Sequence, residues 1–165
     1  MAQITLRGNA INTSGNLPAN GSKAPEFKLV KSDLGSLSLE ELKGKKVILN
    51  ISPSLDTSVC ATAVRKFNQL AADRENTVVL AITKDLPFAS GRFCTTEGIK
   101  NVTTLSGFRD QAFGKAYGVE LIDGPMAGLY ARSVVVIDEQ GVVKYSELVP
   151  ETVNEPDYER ALAAL

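Results

Sequence analysis

The sequence predicts an α/β protein with a single domain over residues 1–165, built on a mixed sheet flanked by helices. Its 165 residues are enough to bury one core. Largely apolar runs at 47–51, 78–82 and 133–137 are typical of buried strands. Segments with helical spacing of apolar residues alternate with these runs, and this order favours parallel strands with helices on both faces.

The first half of the chain begins with a hairpin extension and reaches a central strand after one short helix. Residues 3–7 and 10–13 are predicted to pair as an N-terminal hairpin. Ser38 and Glu41 have the spacing of a capping box, so a short helix is expected from Ser38 to Gly44. The strands predicted in this half are 3–7, 10–13, 27–30 and 46–52, with a loop at 16–25.

The second half continues the alternation and closes with a hairpin. Asp138 to Gly141 form a four-residue loop between two apolar strands, and this hairpin makes the sheet mixed. Pro156 opens the last helix, at a position where proline is favoured. The predicted helices are one ending at about residue 74, then 86–97, 110–117 and 157–165, and the predicted strands are 78–82, 102–105, 133–137 and 142–145.

Composition excludes several classes of protein. The net charge of −1 gives no reason to expect nucleic acid or an anionic membrane as a partner. The N-terminus lacks the apolar segment of a secretory signal, and no run reaches the ~18 apolar residues of a membrane span. We therefore expect a soluble, cytoplasmic protein.

The chain contains no histidine and only two cysteines, Cys60 and Cys94. The missing histidine removes Ser-His and Cys-His nucleophiles and the usual zinc sites, so neither a metal site nor a cofactor is expected. A structural disulfide is rare in a cytosolic chain, so two cysteines that do bond are more often catalytic or redox-sensing.

Cys60 follows a strand and a loop marked by Pro53, and it lies in the first turn of a predicted helix. Free backbone N–H groups and the helix dipole at this place favour a reactive thiolate. Cys60 also lies on the apolar face of the helix, and free cysteines are often buried and inert. On position alone, the inert role is the more common one.

The order of elements, with a cysteine at the start of the helix after the central strand, resembles the thioredoxin fold. A thioredoxin has a second cysteine three residues earlier, where this chain has Thr57. The pattern Pro53-x-x-x-Thr57-x-x-Cys60 instead resembles the active-site signature of the peroxiredoxins. Segments 52–60, 64–68, 85–94 and 131–138 are similar to the bacterial thiol peroxidase subfamily, so the resemblance extends over nearly the whole chain.

This resemblance implies an enzyme that reduces hydroperoxides, both alkyl or lipid hydroperoxides and hydrogen peroxide. It implies that Cys60 is the peroxidatic cysteine and Cys94 the resolving one, with a disulfide inside one subunit that thioredoxin reduces. Thr57 would orient the peroxide, Arg132 would supply fixed positive charge, and Pro53 would shield the sulfur from water. A homodimer is also implied.

Each of these residues also has an ordinary structural role. Thr57 suits a helix N-cap, Pro53 a strand end, Arg132 a solvated charge, and Cys94 simple packing. For the whole protein, the alternatives are a redox-sensing thiol-transfer protein and an interaction domain with inert thiols. Because a disulfide needs Cα atoms about 4.4–6.8 Å apart, joining the first turn of one helix to the last turn of another is expected to require local unwinding.

Overall fold

The computed structural model describes residues 1–165, which form nine strands and four α-helices. The strands are β1 (Gln3–Leu6), β2 (Asn9–Asn12), β3 (Lys28–Lys31), β4 (Ser36–Ser38), β5 (Lys46–Ile51), β6 (Thr77–Thr83), β7 (Val102–Ser106), β8 (Ser133–Ile137) and β9 (Val143–Leu148). The helices are α1 (Ser58–Ala71), α2 (Pro87–Glu97), α3 (Phe113–Ala116) and α4 (Tyr158–Ala163).

Seven strands form one mixed sheet in the order β4-β3-β7-β6-β5-β8-β9. Strands β5, β6 and β7 are parallel, and every other pairing in the sheet is antiparallel. The central strand β5 lies between β6 and β8, and its apolar residues are buried on both faces because helices or loops cover each side. The predicted mixed sheet flanked by helices is confirmed.

Alternate residues of β5 belong to two separate cores. One core contains Val47, Leu49 and Ile51 of β5. They pack with Phe27, Phe113 and Tyr117 on the face that carries α3. Ile48 packs on the opposite face with Phe67 of α1 and with residues of α4. The α1 face also carries both cysteines, since Cys94 of α2 packs against the same cluster.

The N-terminal hairpin extension is confirmed as a separate two-stranded sheet formed by β1 and β2. Ile4 and Ile11 pack against Leu121 and Ala131, which fixes the hairpin beside the loop that leads into β8. This contact brings the hairpin close to the start of α1. No helix of the structure has the length and apolar character needed to cross a membrane.

Three local expectations differ from the structure. The short helix expected from Ser38 to Gly44 is only a 3-10 turn at Glu40–Leu42, although Glu41 does accept the backbone N–H of Ser38 at 2.7 Å. The helix expected at 110–117 is limited to Phe113–Ala116, and just before it the Asp110 carboxylate accepts the N–H groups of Ala112 and Phe113. Strand β4 was not expected.

Candidate active site

Cys60 lies in the first turn of α1, at the edge of the sheet where the central strand β5 ends. Its side chain is fully buried. Thr57 is the N-cap residue with extended backbone angles, and its hydroxyl accepts the N–H of Cys60 at 3.3 Å. The sequence therefore places the thiol beside the free N–H groups of a helix N-terminus, as expected.

Arg132 immediately precedes β8 and is only 2% exposed, so it is not a solvated surface charge. Its Nη1 lies 3.2 Å from Cys60 Sγ, and its Nε donates to the carbonyl of Thr152 at 2.9 Å. No carboxylate forms an ion pair with it. A buried guanidinium needs polar or negative partners, and the two that its hydrogen bonds reach are the Thr152 carbonyl and the sulfur of Cys60.

The hydroxyl of Thr57 has two hydrogen bonds, and neither involves the sulfur. It accepts from the Cys60 backbone and donates to the carbonyl of Ser54 at 3.2 Å. Thr57 thus has the N-cap role, while the residue also lines a cavity. A small rotation of this hydroxyl is enough to turn its proton from the Ser54 carbonyl toward a molecule in that cavity.

The loop between β5 and α1 is fixed by a residue that the sequence did not single out. Asp85 accepts the Ser54 hydroxyl at 2.8 Å and the Leu55 N–H at 2.7 Å. Pro53 is buried in this loop and does not line the cavity, so its predicted role in shielding the sulfur stays a prediction. The position of Asp85, just after β6, was the available signal, because the ends of neighbouring parallel strands meet at one edge of the sheet.

A cavity of about 480 Å³ is lined by Thr57 and Arg132, the two residues that hydrogen-bond to Cys60, while Cys60 itself is fully buried and does not line it. Thr57 and Arg132 form the part nearest Cys60, and the N-terminal hairpin forms the opposite wall. The lining contains two arginines and no acidic residue. The lining residues are Leu6, Arg7, Asn9, Thr57, Ser58, Val59, Pro125, Met126, Arg132, Thr152 and Val153.

Cys94 lies in the last turn of α2, half-buried and not bonded to Cys60. Burial raises the pKa of its thiol, and a hydrogen bond from Thr104 only partly offsets this effect. The structure therefore holds Cys94 in its protonated form at neutral pH.

The two thiols lie near different strands of the sheet. Cys60 contacts Arg132, which leads into β8, whereas Cys94 belongs to α2, which packs on β7 at the other side of β5. Arg65 and Glu97 link the two helices through an ion pair. A disulfide between the two cysteines requires Cα atoms about 4.4–6.8 Å apart, and both thiols are free in this structure.

Comparison with known proteins agrees with this geometry. The redoxin family profile matches residues 19–162. The chain is 60% identical to a thiol peroxidase of Mycobacterium tuberculosis strain H37Rv and 55% identical to one of Corynebacterium glutamicum, covering 100% of this chain and 99% of each relative. A peroxiredoxin-like protein from Aquifex aeolicus superposes with a TM-score of 0.93 at 37% identity, covering 100% of this chain and 98% of that one.

Proposed function

This chain belongs to the redoxin family as a thiol peroxidase of the peroxiredoxin type, and we propose that Cys60 is its peroxidatic cysteine. One observation carries the assignment. The sulfur of Cys60 lies 3.2 Å from the guanidinium of Arg132, which is buried without a carboxylate partner. A guanidinium at this distance can stabilise the negative charge that moves from sulfur to oxygen when the sulfur attacks a peroxide.

In the first step, the Cys60 thiolate attacks the distal oxygen of a hydroperoxide. A sulfur–oxygen bond forms, the oxygen–oxygen bond breaks, and the alkoxide leaves with a proton as alcohol, or as water when hydrogen peroxide is the substrate. The sulfur is oxidised to sulfenic acid. Arg132 is aimed at the negative charge that moves from sulfur to oxygen, and the hydroxyl of Thr57 is close enough to donate to the peroxide.

In the second step, Cys94 attacks the sulfenic sulfur of Cys60. A disulfide forms and water leaves, and the dithiol of thioredoxin then reduces the disulfide while becoming a disulfide itself. Because Cys60 belongs to the first turn of α1 and Cys94 to the last turn of α2, we expect α2 or the first turn of α1 to unwind before the disulfide forms. Hydrogen exchange of the oxidised protein is expected to increase in 57–64 or 88–98, and equal protection in both redox states would contradict this.

The test is hydroperoxide consumption in a system of thioredoxin, its reductase and NADPH. Cys60→Ser is expected to lose turnover completely. Cys94→Ser is expected to complete one turnover and stop as the sulfenic acid. Wild-type turnover in Cys94→Ser would refute the resolving role, and an inactive wild type would refute the thioredoxin-linked cycle.

The second candidate function, a redox-sensing thiol-transfer protein, shares the first chemical step. It differs in what regenerates Cys60, since a sensor passes its oxidised sulfur to a client protein. Cys94, held half-buried near the same core, favours an internal resolving step over transfer to a client. A sensor would form mixed disulfides with client proteins even when Cys94 and thioredoxin are both present.

A homodimer is supported by an exposed apolar surface beside the active-site loop. Leu86, Phe88 and Phe108 are 54%, 68% and 40% exposed. The side chain of Ser106 joins these segments, because its hydroxyl donates to the Asp85 carbonyl and accepts the N–H of Phe108. We expect light scattering to give the mass of a dimer for the wild type and a lower mass for Phe88→Ser.

A further inference from the structure

Arg7 is at the tip of the N-terminal hairpin and lines the cavity beside the active site. Its guanidinium forms no ion pair and no hydrogen bond, although the hairpin itself is well fixed. No function described above uses this side chain. It is a free cation at the wall of the cavity opposite Arg132.

The backbone at this tip is unusual for an arginine. Arg7 has a φ of 51° and Gly8 a φ of 82°, which is the pattern of a type I′ turn. Asparagine, aspartate and glycine tolerate the first of these positions better than arginine does. Strain of this kind is concentrated at functional sites, and here the strained residue is one that lines the cavity.

A neighbouring carboxylate holds the tip in place without neutralising the Arg7 side chain. Glu151 accepts the backbone N–H of Arg7 at 2.7 Å, the N–H of Gly8 at 3.2 Å and the hydroxyl of Thr5. These bonds lower the pKa of Glu151, with the Thr5 hydroxyl as the largest cause. The carboxylate is thus committed to the turn, and it does not line the cavity.

The cavity combines this cation with apolar walls. Five of its lining residues are apolar, two are arginines, and none is acidic. Its volume of about 480 Å³ is within the range of sites that hold small organic ligands. The apolar lining residues are Leu6, Val59, Pro125, Met126 and Val153.

We propose that Arg7 binds the carboxylate of an anionic, amphiphilic hydroperoxide whose apolar chain lies along the cavity wall while its peroxide group lies beside Thr57 and Arg132, the lining residues that contact Cys60. This inference rests on the proposed peroxidase function and names a residue that selects the substrate. The guanidinium pairs with the carboxylate in a cavity that no acidic residue lines, since the nearby Glu151 carboxylate is bound to the backbone of the turn. A neutral ester of the same chain keeps the apolar contacts and loses the ion pair.

The experiment compares the hydroperoxide of linoleic acid with the hydroperoxide of its methyl ester, both below their aggregation concentrations. In the wild type, kcat/KM for the acid is expected to exceed that for the ester. In Arg7→Gln this ratio is expected to fall about fivefold, the effect of losing one exposed charge pair. Arg7→Lys should restore most of the ratio, and added salt should reduce it in the wild type.

Arg74→Gln is the matched control, because Arg74 is an exposed arginine outside the cavity. An acid-to-ester ratio that is unchanged in Arg7→Gln would overturn the role of Arg7. Binding of linoleate and methyl linoleate to the reduced protein gives a second readout that needs no turnover. If the wild type binds the acid through Arg7 but reduces no hydroperoxide, the proposed function fails and the binding site stands.

Discussion

Replacing Arg132 by methionine is expected to slow the oxidation of Cys60 and to leave the stability of the protein nearly unchanged. The change removes a charge-assisted hydrogen bond of 3.2 Å to the sulfur, and such bonds contribute about 1.5–3 kcal/mol. The Coulomb energy of the two charges at this distance is about 5 kcal/mol with an effective dielectric constant near 20, so this range is conservative. Since 1.4 kcal/mol is a factor of ten, the rate of Cys60 oxidation is expected to fall by roughly 10- to 150-fold.

The stability of the same variant is expected to move differently. Arg132 is 2% exposed and has no acidic partner, so its burial carries a desolvation cost that methionine does not have. The variant loses the bond to the Thr152 carbonyl as well. We therefore expect the reduced Arg132→Met protein to unfold at a denaturant concentration close to that of the wild type, despite its slower reaction.

The assay is a quenched-flow measurement of Cys60 sulfenic acid by mass spectrometry, after mixing reduced protein with hydroperoxide. Intrinsic fluorescence is a poor alternative because the chain has no tryptophan. Arg74→Met, at an exposed arginine, is the control. An Arg132→Met rate within twofold of the wild type would refute the assigned role of the guanidinium, and Arg132→Lys tests how far charge alone restores the rate.

Three further predictions concern Cys94, Ser90 and Gly118. Burial raises the pKa of Cys94, so the folded state stabilises the protonated thiol, and this stabilisation is lost as the pH rises through the raised pKa. Because the thiolate is the attacking form, the rate of disulfide formation should increase from neutral to alkaline pH. A flat pH profile in rapid-quench experiments would contradict this. Ser90 is buried with no partner for its hydroxyl, so Ser90→Ala should raise the urea midpoint by an amount equivalent to up to about 1 kcal/mol, and a lower midpoint would count against this explanation. Gly118 has a φ of 68°, and a Cβ there would lie 2.3 Å from the Asn16 carbonyl oxygen. Gly118→Ala should therefore lower the free energy of unfolding, measured by denaturant titration, by more than about 2 kcal/mol. A variant as stable as the wild type would refute this close packing.

The sequence predicted the fold best where burial imposes a simple pattern. The strand at 46–52, for example, differs from β5 by a single residue. The strand β4 has only three residues and no fully buried side chain, so it has no apolar pattern to detect. Its pairing with β3, and the antiparallel pairing of β3 with β7, depend on tertiary contacts that local patterns do not encode.

In the active site, too, local sequence patterns predicted some features, whereas those that depend on tertiary contacts were not visible in the sequence. The position of Cys60 at a helix start was visible in the sequence because a strand, a proline and a helical pattern precede and follow it. The burial of Arg132 was not visible, since an arginine before a strand is usually exposed. Asp85 and Arg7 were missed because each acts through a contact with a distant segment, Ser54 for Asp85 and the cavity wall for Arg7.

The two helices that carry the cysteines differ in how firmly they are packed, and this decides which one is expected to unwind. Helix α1 buries six residues and has a side-chain N-cap, whereas α2 buries only Pro87 and Ser90 and has no side-chain cap. Its far end is attached to α1 by an ion pair between Arg65 and Glu97 near the surface, and exposed pairs contribute at most about 1 kcal/mol. Unwinding α2 therefore costs less than unwinding α1 beyond its first turn. In the proposed cycle, we therefore expect α2 to be the helix that unwinds to bring Cys94 to the oxidised sulfur, with Thr57 and Arg132 staying in place.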